Sequence, residues 1–195
     1  MTAVHPTVFL VIGPAGSGKS TVSKRIAAHH RAVYLDKDTL ASGFTELLLK
    51  ERGFSGSERD DNAFYTDVVL PIEYDTLLRA CGDNLALGNS VVLDAPFGRR
   101  FADPDYLVRE KSRHGWPEAR VVVVHVEADG DTVRERLAGR GYDRDAWKLG
   151  HWDEFWAGAL AVECRWLEAE HVVLENTGPA PDITAIAETL ARNSP

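Results

Sequence analysis

The segment Gly13-Pro14-Ala15-Gly16-Ser17-Gly18-Lys19-Ser20 stands between the apolar, β-branched run Thr7 to Ile12 and the helix-like stretch TVSKRIAAHH beginning at Thr21. A chain meets all three demands most simply as a strand that turns sharply into a helix. Glycines let such a turn curl until its backbone N–H groups point inward at an anion. The helix N-terminus adds positive potential. Lys19 can then reach the outer phosphates of a nucleoside triphosphate, and the Ser20 hydroxyl can hold Mg²⁺. The spacing implies an ATP and Mg²⁺ site running from Gly13 to Thr21.

Further apolar runs follow at 32–35, 91–93, 120–126 and 171–174, separated by helical periodicity over about 19–30, 39–51, 60–87, 104–114, 130–138, 150–169 and 181–192. The runs are continuous rather than alternating, as expected for strands covered on both faces of a parallel sheet. The pattern predicts an α/β fold, a three-layer sandwich of the P-loop NTPase kind with a five-stranded parallel sheet and helices on both faces. Functional residues should then lie just beyond the C-terminal ends of the strands. Two segments exceed simple crossovers. Residues 39–88, broken at Gly53-Phe54-Ser55-Gly56, predict a helical acceptor-binding insertion. Residues 139–150, GRGYDRDAWKLG, have the glycine-flanked basic composition of a mobile lid. Without a repeat or linker, residues 1–195 read as a single domain.

Charge narrows the partners. The net charge of −8 disfavours a polymeric nucleic acid, whose backbone needs a basic surface. Acids crowd residues 36–75, whereas Arg134, Arg136, Arg140, Arg144 and Lys148 gather in 134–148. One end suits a triphosphate and the other repels a second polyanion. No apolar stretch reaches membrane-span length, so no membrane partner is expected. Cys81 and Cys164, far apart in helix-like sequence, read as buried thiols of a cytoplasmic protein.

The second strand runs into Leu35-Asp36-Lys37-Asp38-Thr39 and the third into Leu93-Asp94. Beside a phosphate loop, a carboxylate in such a place either holds Mg²⁺ or takes the proton of an attacking hydroxyl. Asp94 suits the metal, together with Ser20. Asp36 and Asp38 would share a face if the strand continued, and would repel, raising one pKa toward neutrality. Either can cap the helix expected near Thr39, Asp38 being the ordinary candidate, and either can grip the acceptor. Arg136, Arg140 and Arg144 are spaced by four, but Gly139 and Gly141 predict a helix break that turns Arg140 and Arg144 toward the phosphates. Arg134 and Arg136 read as a solvated helix end. Trp152, Phe155, Trp156 and Ala159 form an apolar stripe expected to pack on the sheet.

The pieces GPAGSGKST (13–21), LDKDTL (35–40), VVLDAPF (91–97) and RLAGRGYDRDAWKL (136–149) resemble the small, AAA-like P-loop kinases that phosphorylate hydroxyl groups: polynucleotide kinase domains, zeta-toxin sugar-nucleotide kinases and chloramphenicol phosphotransferase. The resemblance implies Asp38 as general base, Asp94 near Mg²⁺ or acceptor, and Lys19, Arg140 and Arg144 on the phosphates. Asp36, Asp38, Asp94 and Arg99 are then the candidate acceptor contacts. The insertion matches none of these families closely, so the acceptor is expected only to be a small hydroxylated molecule. A nucleoside or nucleotide kinase, or a nucleotide-dependent switch with slow hydrolysis, are the alternatives.

Overall fold

The computed structural model describes residues 5–56, 58–59, 62–142, 145–178, 181–184 and 186–188. Five strands, β1 (Thr7–Ile12), β2 (Val33–Asp36), β3 (Val91–Asp94), β4 (Arg120–Glu127) and β5 (Glu170–Glu175), form one parallel sheet in the order β2-β3-β1-β4-β5. Each falls on or within a residue or two of an expected run. Between them lie α1 (Lys19–His30), α2 (Lys37–Glu51), α3 (Leu70–Ala86), α4 (Tyr106–Arg113), α5 (Gly130–Arg140), α6 (Ala146–Gly150) and α7 (Trp152–Ala161).

Strand alternation divides the core in two. Val8, Leu10 and Ile12 point to one face, where Leu77, Leu78, Cys81 and Leu85 of α3 and Leu107 of α4 cover them with Trp166. Phe9 and Val11 point to the other, against Val22 and Ile26 of α1 and Ile186. Each such aliphatic side chain contributes about 1.5–3 kcal/mol by leaving water, so the β1 centre of the sheet is its most strongly held part. Among the described residues no helix is long and apolar enough to cross a membrane.

Departures from the expected helices are informative. α2 starts at Lys37, not Thr39, because Asp36 rather than Asp38 is its cap: the Asp36 side chain accepts from the Thr39 N–H. The helix expected over 60–87 opens with a π-turn at Tyr65–Val69 before α3. α5 does not break at Gly139; it continues to Arg140 and stops at Gly141, whose φ of 62° is a left-handed terminus that glycine adopts without strain. The helix expected over 150–169 ends at Ala161, leaving Cys164 and Trp166 in irregular chain. Cys81 is a buried thiol as expected, whereas Cys164 is only half-buried.

The aromatic stripe fails to pack on the sheet. No residue of α7 is buried, and Trp152 and Trp156 instead stack on each other, ring centroids 5.6 Å apart. Of that stretch only Trp166 enters the core, its indole donating to the Arg100 carbonyl. An apolar stripe at helical spacing says that a face is sticky, not what it meets.

Candidate functional site

The loop from Gly13 to Ser20 leaves β1 and enters α1 with three backbone positions in the left-handed half of φ space. Gly18, at φ 90°, is the tightest that matters: a Cβ there would lie 2.3 Å from Asn176 Nδ2. The Ser17 carbonyl explains that crowding. It accepts from Asn176 Nδ2 at 2.7 Å and from Arg136 Nη1 at 3.3 Å, which turns this carbonyl away from the inside of the loop. Asn176 directly follows β5 and is buried, its backbone N–H bonded to the Glu127 carbonyl. Arg136 is thus no solvated helix end; it braces the phosphate loop. Arg134 lies over the Trp152 ring. Pro14 accepts from both the Ser17 N–H and Lys19 Nζ, the latter at 2.8 Å, and Ala15 and Gly16 close the curve between them. The Ser17 hydroxyl is buried without a partner among the described residues.

Lys19 is where the predicted residues converge. Burial pulls its ammonium down to a pKa of about 8, with Asp94 and Asp38 opposing and Arg140 assisting. Charges from β3, α2 and α5 therefore all act on one lysine of α1. Four elements distant in sequence meet at the C-terminal edge of the sheet.

Asp94 ends β3, buried, and pairs in register with Asp36 at the end of β2. The Tyr34 hydroxyl, one pleat below, donates toward both: 2.8 Å to Asp94 Oδ2 and 3.2 Å to Asp36 Oδ2. Burial pushes the Asp94 carboxyl above its ordinary value; hydrogen bonds from Ser20 and Tyr34 oppose this, and the Asp36 charge adds to it. Burial and the bond to Asp94 likewise raise the Tyr34 phenol. The Ser20 hydroxyl beside the Asp94 carboxylate is a hard-oxygen donor pair, and crowded negative charge gives it a use for a cation. That chemistry fits Mg²⁺. Thr21 begins the exposed side of α1 and its N–H bonds the Gly18 carbonyl.

Asp38 and Asp36 do not share a face, because the chain turns into α2 between them. Freed from capping, the half-exposed Asp38 carboxylate meets Lys37 Nζ at 3.0 Å and the Arg59 guanidinium at 3.8 Å. Lys37 is itself buried, and its ammonium also bonds Glu73 Oε2 of α3 at 2.7 Å. Burial disfavours that charge, but Asp38 and the Glu73 hydrogen bond outweigh it and hold Lys37 above the ordinary lysine range. Glu73 in turn accepts from the Thr45 hydroxyl and, at 3.0 Å, from the Tyr65 hydroxyl on the π-turn. The expectation that carboxylate repulsion would tune one of the Asp36–Asp38 pair gives way to an ammonium wedged against Asp38.

Arg140, at the end of α5, donates Nε to Asp145 Oδ2 at 2.6 Å, and Lys148 reaches the same buried carboxylate at 3.2 Å. Burial would raise Asp145, but these two bonds hold it below its ordinary value. Arg144 lies outside the described residues. Arg99 sits exposed on the short turn Gly98–Arg100. That turn follows Phe97, a buried residue held at φ 52°, whose N–H donates to the Tyr74 hydroxyl at 2.9 Å. A bulky residue in that region is strained, and Tyr74 helps to fix it there.

Sequence reasoning passed over Tyr34, Lys37, Glu73, Arg136 and Asn176. Asn176 carried a usable signal, since it follows an apolar strand as Asp36 and Asp94 do. Glu73 carried none, because its partner Lys37 lies 36 residues away.

A glycine-lined loop with its lysine and serine at the end of the central parallel strand defines a P-loop protein of the α/β class. The chain belongs to the AAA domain family whose model matches residues 8–158. A cytidylate kinase of Brucella melitensis is 31% identical over 87 residues, which cover 45% of this chain and 38% of that protein. The match thus spans well under half the length of that relative. Among solved structures, a protein of Chloroflexus aurantiacus j-10-fl is similar with a TM-score of 0.67 at 19% identity, covering 98% of this chain and 100% of the other. A sugar kinase of Janibacter sp. HTCC2649 is similar with a TM-score of 0.60 at 17% identity, covering 95% and 93%.

Proposed function

We propose that this protein is a kinase that moves the γ-phosphoryl group of ATP to a hydroxyl of a small molecule. The convergence of Asp38, Asp94 and Arg140 on Lys19 supports this reading best, because it puts a carboxylate on the acceptor side within electrostatic reach of the phosphate-binding lysine. The loop from Gly13 to Thr21 would hold the triphosphate through N–H groups that it does not bond internally, such as those of Gly16, Gly18, Lys19 and Ser20, with the Lys19 ammonium on its outer oxygens. Ser20 and Asp94 would hold Mg²⁺, which when bound neutralises charge on the phosphates. Asp38 would accept the hydroxyl proton as the acceptor oxygen bonds to Pγ. The bond from Pγ to the β,γ-bridging oxygen then breaks and ADP leaves with its electrons. Arg140, released from Asp145, would stabilise charge on the transferring group; Arg144 is proposed beside it on sequence alone. Lys37, 3.0 Å away, would keep Asp38 aimed, so that Asp38 acts by orienting the hydroxyl as well as by accepting its proton. We also infer a single-domain organisation, with 39–88 as acceptor insertion and 139–150 as lid.

A nucleotide acceptor is the second reading, favoured by the likeness to cytidylate kinase. Asp38→Asn tests the central claim. Transfer should fall about a thousandfold or more while ATP binding, read by calorimetry, changes less than twofold. A variant that kept its transfer rate would sink Asp38 as the base, and absence of transfer by the parent protein to any hydroxyl would sink the kinase assignment. Product mass with CMP and with neutral polyols in parallel separates the two acceptor readings.

A further inference from the structure

α7 is an aromatic helix that covers no core, and beneath it lies a crevice of about 670 Å³. Its walls are Phe155, Trp156 and Ala159 of α7 with Pro96 and Phe101; its floor is the end of β4 and the first residues of the phosphate loop, Gly13 and Pro14. Pro96 and Gly98 lie just two and four residues past Asp94, so the crevice opens beside the reaction centre. The volume is that of an ordinary small-molecule site.

Its charged groups are of one kind. Glu127, Asp129 and Glu175 line it, and no lysine or arginine does among the described residues. Asp129 is committed to capping α5 through the Thr132 N–H and hydroxyl. Glu175 accepts from Thr177, and Glu127 is exposed. His125 adds another acceptor. The Trp166 carbonyl can only accept, so His171 Nε2, 3.0 Å away, carries a hydrogen. With both rings neutral, His171 Nδ1 is bare and takes the hydrogen of His125 Nε2 at 2.8 Å, leaving His125 Nδ1 unprotonated. Burial, with His171 alongside, lowers the His125 pKa and favours this neutral form. Apolar walls with carboxylates and an imidazole nitrogen, and with the Cys164 thiol as a weak side-chain donor, call for a ligand with an apolar ring and hydrogen-bond donors, best of all a cation.

We propose that the crevice beneath α7 binds the body of the phosphoryl acceptor, with the 39–88 insertion, no residue of which lines the crevice, meeting only its hydroxyl end, and that the acceptor is an amphipathic amino alcohol rather than an acidic or phosphorylated one. The proposal rests on the kinase reading for the word acceptor; the site itself rests on the crevice. Phenylalaninol, 3-phenylpropan-1-ol and ethanolamine separate the two contributions, carrying ring and amine, ring alone and amine alone. Titrations followed by indole N–H resonances should show phenylalaninol moving Trp156, which lines the crevice, but not Trp116, whose indole is bonded to the Leu78 carbonyl. Its affinity should exceed that of either truncated probe at least tenfold. A Cβ at Gly98 meets nothing within 4 Å, so Gly98→Leu should fold normally and fill the space. It should weaken phenylalaninol at least tenfold and leave ATP affinity within twofold. Equal affinity for the three probes, shifts that spare α7, or parent-like binding by Gly98→Leu would each overturn the site. Phosphoryl transfer from labelled ATP to gluconate, with phenylalaninol inert, would overturn it while upholding the kinase. Crevice binding with no transfer to any hydroxyl would do the reverse.

Discussion

The two halves of the candidate site are built from different materials. On the donor side, the phosphate loop is shaped by backbone: glycines at positive φ, peptides turned by Asn176 and Arg136, and a lysine tethered to the Pro14 carbonyl. On the proposed acceptor side, α2 and α3 are joined by a buried side-chain network of Lys37, Glu73, Thr45 and Tyr65 that ends on Asp38. Backbone construction needs residues that are adjacent in the chain, so it leaves a motif. Side-chain construction needs only proximity in space, and it can change partners without leaving one.

The contrast is most sharply broken at Glu73. Glu73→Ala removes the main partner of a buried ammonium and should cost about 3–5 kcal/mol in urea unfolding, whereas Lys37→Met with Glu73→Leu should recover most of that stability. Transfer should stay lost in the double variant even so, because Asp38 has lost its wedge. If stability and transfer returned together, the network would be mere packing. Gly18→Ala probes the donor side. The added methyl strains the backbone and drives into Asn176, for an expected loss of about 2 kcal/mol and at least tenfold in ATP affinity by calorimetry.

Titration distinguishes the halves more gently. The Lys19 ammonium, with its pKa lowered to about 8, is charged below that pH and neutral above it in the free protein. ATP affinity should therefore be level below pH 8 and fall about tenfold per unit above it, until the pKa of the complex is reached. The sign is opposite for stability without nucleotide. Between pH 8 and the ordinary lysine value of 10.5, the unfolded chain holds the proton that the folded chain has lost, so the Lys19 contribution to stability rises with pH. Calorimetry in buffers of different ionisation enthalpy reads the proton taken up on binding. The smallest effect on stability is expected at Asp94. Its folded carboxyl is raised, so its ionisation works against folding once pH climbs past the unfolded value. Asp94→Asn should stabilise the nucleotide-free protein by about 1 kcal/mol, a melting rise of about 2–4 °C, while Mg²⁺-dependent transfer collapses.

Much of the framework was legible because it is written locally. Continuous β-branched runs marked all five strands, and Gly13 to Ser20 marked the loop between β1 and α1. The acidic residues after β2 and β3 were legible through their place beyond strand ends. What escaped was decided by competition. Asp38 read as the ordinary cap, but α2 begins at Lys37 with Asp36 in that role, and the Asp38 carboxylate goes to Lys37 and Arg59 instead. Gly139 read as a breaker, but one glycine inside a helix costs about 1 kcal/mol and α5 absorbs it, stopping at Gly141 instead. The α7 stripe read as core because periodicity reports an apolar face without naming its partner, and here the partner is a crevice.

A phenol owns a single hydrogen, and Tyr34 stands before two carboxylates. It cannot serve both fully at once. Whatever engages Asp94 from the nucleotide side frees that hydrogen for Asp36, the residue on which the first turn of α2 hangs. The ends of β2 and β3 therefore share one hydrogen between two carboxylates, and a nucleotide or cation that engaged Asp94 would be felt, through that hydrogen, at the base of the helix that carries Asp38.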